Sequence, residues 1–104
     1  MNIKTAMNAA KQYKIEIGKK GISVTEMYIF GSIAKKTAHK GSDIDVCVVS
    51  SKFGKDMHAE QIKLIDITSN INESIEPHPF TVQEMKETYN PLVSEILRYG
   101  IKVL

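Results

Sequence analysis

The run Ile75–Phe80 reads IEPHPF, and its two prolines confine it to one place in a sheet. A proline donates no backbone hydrogen bond, and residues two apart in a strand direct their N–H groups to the same side. Pro77 and Pro79 therefore blank one side of the strand, while Glu76, His78 and Phe80 keep the other for a neighbour. Such a strand is tolerable at a sheet edge and nowhere else.

The rest of the chain supplies that sheet and its cover. Residues 3–20 read as an amphipathic helix with Ala6, Ala10, Tyr13 and Ile17 on one face, and Gly21 can supply a left-handed stop. Val24–Phe30 is rich in β-branched and aromatic residues and reads as a strand, ended by Gly31-Ser32. Ile33–Thr37 is expected to be a short helix and Ala38–Ser42 a loop. Asp43–Val49 is the next strand, with Asp43, Asp45 and Cys47 on one face and Ile44, Val46 and Val48 on the other. After a polar loop, a long helix is expected to run to about Ser74, burying Ile62, Leu64, Ile65, Ile67, Ile71 and Ile75. Thr81-Val82-Gln83-Glu84 is a capping box. Asn90-Pro91 starts a last helix with Val93, Ile96 and Leu97 apolar, Gly100 stops it, and Ile101–Leu104 can add a short strand. The sum is an α/β (α+β) architecture, a small mixed sheet covered by helices.

A length of 104 residues, 42% hydrophobic and 25% charged, is expected to form one domain over residues 1–104. The longest apolar run, around Cys47, is far short of a membrane span, and the N-terminus lacks the apolar core of a signal peptide. A single cysteine fits a reducing, cytoplasmic setting. A net charge of +2 gives no argument for nucleic acid as a partner.

The chemistry is concentrated in Gly31-Ser32, ten intervening residues, and Asp43-Ile44-Asp45. Two carboxylates on one strand face repel unless a cation bridges them or one is protonated. Oxygen ligands select hard ions such as Mg²⁺, and in a two-metal site one ion activates the attacking group while the other steadies the leaving oxygen. Gly31-Ser32 sits where a strand gives way to a helix, an anion site in which Gly31 leaves room for a phosphate and Ser32 donates to it. Lys35, Lys36 and Lys40 bring positive charge, and Ser42, directly before the aspartates, joins the nucleotide-binding candidates. Of the later acids only Glu76 lies on an expected strand, where it can act as a third metal ligand or as general base.

Residues 28–49, YIFGSIAKKTAHKGSDIDVCVV, resemble the signature of minimal nucleotidyltransferases of the DNA polymerase β superfamily. The resemblance implies a polymerase β palm-like fold. It carries Gly31 and Ser32 to the nucleotide, Asp43 and Asp45 to a pair of Mg²⁺ ions, and Glu76 to the third acid. Where many members have Arg-Gly, this chain has Lys35-Lys36. Members of this size often work beside a HEPN-domain protein, some as toxin–antitoxin pairs in which the nucleotidyltransferase adenylylates the toxin. The implied activity is transfer of AMP from ATP to a hydroxyl on a partner protein. The alternative is a nucleotide-binding module that silences its partner by docking. His78 shares the side of Glu76 and can touch the nucleotide or metal, although a partly buried structural histidine is the commoner case. Cys47 is expected to be buried as a small hydrophobe.

Overall fold

The computed structural model describes residues 2–39 and 41–104. Helix α1 (Ile3–Lys19) begins at Asn2, whose side chain accepts from the Thr5 N–H. Its buried residues are Ala6, Ala10, Tyr13 and Ile17, the face expected from the sequence. Ile22 N–H bonds Ile17 C=O and Gly21 N–H bonds Gly18 C=O, the paired closure of a Schellman motif, with Gly21 left-handed at φ 85°.

Strands β1 (Glu26–Phe30) and β2 (Ile44–Val49) are antiparallel, β3 (Ile75–Phe80) runs parallel to β2, and β4 (Ile101–Lys102) runs antiparallel to β1. The sheet order is β3-β2-β1-β4, so the proline strand is an edge. Ile44 N–H bonds Ser74 C=O and Ser50 N–H bonds Phe80 C=O, a register that turns Pro77 and Pro79 to the open side. There the Gln61 side-chain amide donates to the Pro77 carbonyl at 3.3 Å, so the edge is partly covered.

The two sheet faces are covered separately. Ile44, Val46 and Val48 pack with Met27 and Ile29 under α1 and α2 (Met57–Thr68). Tyr13, fully buried, joins these helices by donating to the Leu64 carbonyl at 2.7 Å, and burial pushes its phenol pKa up. Phe30, Cys47, Val49 and Phe80 pack on the other face with Met85, Val93 and Ile96. These last three lie on a short 3-10 turn (Glu84–Lys86) and on α3 (Pro91–Tyr99). Thr81 and Glu84 cap each other reciprocally at 2.8 and 3.0 Å, and the Asn90 side chain accepts from Leu92 N–H at 2.9 Å.

Three expectations need correction. Helix α2 ends at Thr68, and Ile71 and Ile75 lie beyond it. Thr68 and Ser69 hydroxyls donate to the Ile65 and Asp66 carbonyls at 2.6 and 2.8 Å, a local competition with the backbone that marks the end of the helix. Ile62 and Ile65 are each 47% exposed, so the buried stripe is narrower than the isoleucine count suggests. Residues 33–37 form no separate helix: Gly31–Lys36 make a single turn. Thr37 N–H bonds Ser32 C=O and Lys36 N–H bonds Ile33 C=O, a second Schellman closure one turn after the start. Lys36, at φ 62°, occupies the left-handed position that Gly21 fills in the first.

Candidate active site

The face bearing α3 is open at the N-terminal ends of β2 and β3, because α3 and the 3-10 turn cover Cys47, Val49 and Phe80 farther along. The parallel register sets Asp45 beside Glu76 and Cys47 beside His78, and the strand alternation turns Asp45, Glu76 and His78 to this one face. Their ligand atoms all lie within 4.8 Å of one another. His78 Nε2 is 3.3 Å from Asp45 Oδ1 and 3.9 Å from Glu76 Oε1. The Phe30 ring meets the His78 ring edge-on at 5.0 Å, fixing its orientation. Among the described residues, no lysine or arginine lies within ion-pair distance of Asp45 or Glu76.

Gly31 stands against Asp45 for a steric reason that differs from the one the sequence suggested. Its φ of 74° is left-handed, and a Cβ added there would overlap Asp45 Oδ2 and lie 3.1 Å from Asp45 Cγ. The missing side chain thus seats the carboxylate itself. The N–H groups of Ser32, Ile33 and Ala34 donate to no acceptor among the described residues, and the Ser32 hydroxyl has no hydrogen-bond partner among them. Three free backbone donors and a hydroxyl beside the carboxylates form a turn suited to an anion.

The other sequence candidates divide. Asp43 is exposed, one residue before β2, and shares an open cleft with Glu73 and Glu76. Its carboxylate is outside the Asp45–Glu76–His78 group. Lys35 turns away: its ammonium pairs with Glu95 at 2.6 Å and sits 5.4 Å above the Tyr99 ring. Lys36 lines a separate hollow with Asn2, Ile3, Ile33 and Ala38. The Ser42 hydroxyl accepts from His39 N–H at 2.9 Å and so closes the loop before the aspartates. Lys40 lies outside the described residues. Cys47 is fully buried, and burial with the nearby Glu26 charge pushes its thiol pKa up to about 12.

His78 is the member that sequence reasoning undervalued. Its shared side with Glu76 was readable, but its approach to Asp45 depends on the parallel β2–β3 register, which strand alternation alone does not fix.

A family model described as a nucleotidyltransferase domain matches residues 10–103. The chain belongs to the nucleotidyltransferase domain family. No curated protein matches it. Among solved structures, this nucleotidyltransferase domain is similar to a candidate nucleotidyltransferase from Sulfolobus solfataricus, with a TM-score of 0.66 and 17% identity over 94% of this chain and 78% of that one. It is also similar to a chain in a toxin–antitoxin crystallised with AMP-PNP (TM-score 0.64, 18% identity, 90% of this chain and 72% of that one). A third likeness is to a mutant of the toxin–antitoxin MntA-HpeT in which two aspartates are replaced by glutamate (TM-score 0.60, 15% identity, 90% and 72%). At these identities the likeness shows a shared fold, an α/β architecture with a mixed four-stranded sheet. No helix among the described residues is long and apolar enough to cross a membrane.

Proposed function

We propose that this domain catalyses divalent-metal-dependent transfer of a nucleoside monophosphate, AMP from ATP, to a hydroxyl of a partner protein. The observation that carries the reading is the Asp45–Glu76–His78 group set against the Gly31-Ser32 turn in a chain of nucleotidyltransferase family. The residues fit a divalent cation such as Mg²⁺: two carboxylates converge with no lysine or arginine within ion-pair distance among the described residues, so a cation is the natural source of neutralisation. Asp45 and Glu76 would hold the ion, with Asp43 at the adjoining cleft as ligand to it or to a second one. A bound divalent ion supplies charge neutralisation on the triphosphate and a lowered pKa for a coordinated hydroxyl.

The protein groups account for the remaining roles. The free N–H groups of Ser32, Ile33 and Ala34 and the Ser32 hydroxyl receive phosphate oxygens. The acceptor oxygen attacks the α-phosphorus and forms the new P–O bond, the bond from that phosphorus to the bridging oxygen breaks, and pyrophosphate leaves. Glu76, half-exposed at the mouth, takes the acceptor proton. The partner reading draws on the toxin–antitoxin assemblies named for two fold neighbours, and the adenine nucleotide on the AMP-PNP named for one. A HEPN-domain protein in the cytoplasm is the partner implied by the sequence signature.

The test is incubation with the protein encoded beside this one and each NTP in turn, followed by intact mass of both chains. A gain of one AMP on the partner, absent with Asp45→Asn, is expected. Tight partner binding that survives Asp45→Asn, with no transfer from any NTP, would replace this reading by silencing through docking.

A further inference from the structure

We propose that His78 is a third ligand of the ion held by Asp45 and Glu76, and that the mixed nitrogen–oxygen set favours a transition ion such as Mn²⁺ over Mg²⁺; this rests on the metal-dependent reading above. Four observations support it. First, His78 Nε2, rather than the rest of the ring, faces both carboxylates, at 3.3 and 3.9 Å. Neighbouring ligands on an octahedral ion at about 2.1 Å stand about 3 Å apart, so the Asp45–His78 spacing matches two ligands of one ion. In the metal-free chain the same two atoms stand within hydrogen-bond distance, so the contact that an ion would bridge is already assembled.

Second, the ring is held in place before any ion arrives. Phe30 packs against it edge-on at an interplanar angle of 66°, and the His78 side chain is only 26% exposed. Third, the flanking prolines restrain the backbone on both sides, Pro77 by its own ring and Pro79 by disfavouring the helical region for His78. Little conformational freedom is left to lose when the imidazole binds, which is the condition for a precise metal ligand. Fourth, among the described residues no other side chain pairs with the two carboxylates, so His78 occupies the place a neutralising lysine or arginine would take in a purely structural cluster.

The chemistry of the donors then sets the preference. Mg²⁺ is bound through oxygen and retains water in place of nitrogen ligands. An imidazole raises affinity for first-row transition ions, while the carboxylates keep the set acceptable to Mn²⁺. The strand that carries the family's third acid therefore adds a selectivity element two residues farther on.

The experiment is Mn²⁺ titration of the metal-free full chain followed by electron paramagnetic resonance, with spin-echo modulation read for directly bound ¹⁴N. The wild type is expected to show nitrogen modulation, and His78→Gln to lose it with a Mn²⁺ affinity weakened about tenfold or more. Mg²⁺ affinity, read by competition, should change much less. Because the chain has three histidines, His39→Gln/His58→Gln leaves His78 alone and should retain the modulation even if His78→Gln folds poorly. Bound Mn²⁺ without nitrogen modulation would overturn the proposal and leave the carboxylate site standing. Absence of Mn²⁺ binding in the wild type, or binding indifferent to Asp45→Asn, would overturn the metal-dependent reading itself.

Discussion

Gly31→Ala separates two costs that the structure places on one residue. At φ 74° an L-residue is strained, and relief is unavailable while the turn holds its Lys35 N–H to Gly31 C=O bond. That strain costs about 1–2 kcal/mol. The added methyl also overlaps the Asp45 carboxylate, and overpacking of this kind costs about 1–3 kcal/mol. Asp45 is 25% exposed, so its carboxylate has room to swing outward, which places the steric part near the low end. The same swing breaks the 3.3 Å approach to His78, so metal affinity should fall along with stability. In an Asp45→Ala background the nearest remaining atom is Cβ of residue 45, at 3.4 Å, an ordinary contact. Only the backbone strain then remains. Urea denaturation of the wild type, both single variants and the double variant forms a closed cycle, with an expected coupling of about 1 kcal/mol, the low end of the overpacking range. Equal costs for Gly31→Ala in both backgrounds would refute the claim that Gly31 exists to seat Asp45.

Lys36→Gly should stabilise the fold by up to about 1 kcal/mol, because relief of left-handed strain exceeds the added freedom of glycine in the unfolded chain. A rise of a few degrees in Tm is the expected calorimetric result, and a fall would contradict the strain argument. Cys47 supplies a pH test. Its folded pKa of about 12 lies above its ordinary 9.0, so the stability it contributes is complete below pH 9 and is lost as pH rises through 12. At pH 8.5 iodoacetamide labelling should therefore follow global unfolding, and rapid labelling of the folded chain would show the burial to be wrong.

Much of the fold was legible because local signals agreed with tertiary demands. The α1 face, the reciprocal Thr81–Glu84 cap, Pro91 at the start of α3 and the edge position of the proline strand each follow from residue chemistry that the surroundings did not override. Helix α2 was overread because isoleucines spaced through residues 62–75 imitate a continuous buried stripe, whereas Thr68 and Ser69 turn their hydroxyls onto the backbone and end it. At the site, the placing of Glu76 on a strand beside the aspartate face was foreseeable from strand alternation and the family signature. The direction of Lys35 was not, since it is set by Glu95 and Tyr99, some sixty residues away in the sequence. His78 entered the cluster through strand register, a property of two segments jointly that neither encodes alone.

The central claim is that these carboxylates bind nucleotide through a divalent cation. Calorimetry of AMP-PNP binding, with and without Mg²⁺ or Mn²⁺, tests it in the wild type and in Asp43→Asn/Asp45→Asn. Binding that requires the ion in the wild type and disappears in the variant is the predicted result, with the variant melting no lower than the wild type in metal-free buffer because like-charge repulsion has been relieved. Equal metal-dependent binding by both proteins would contradict it.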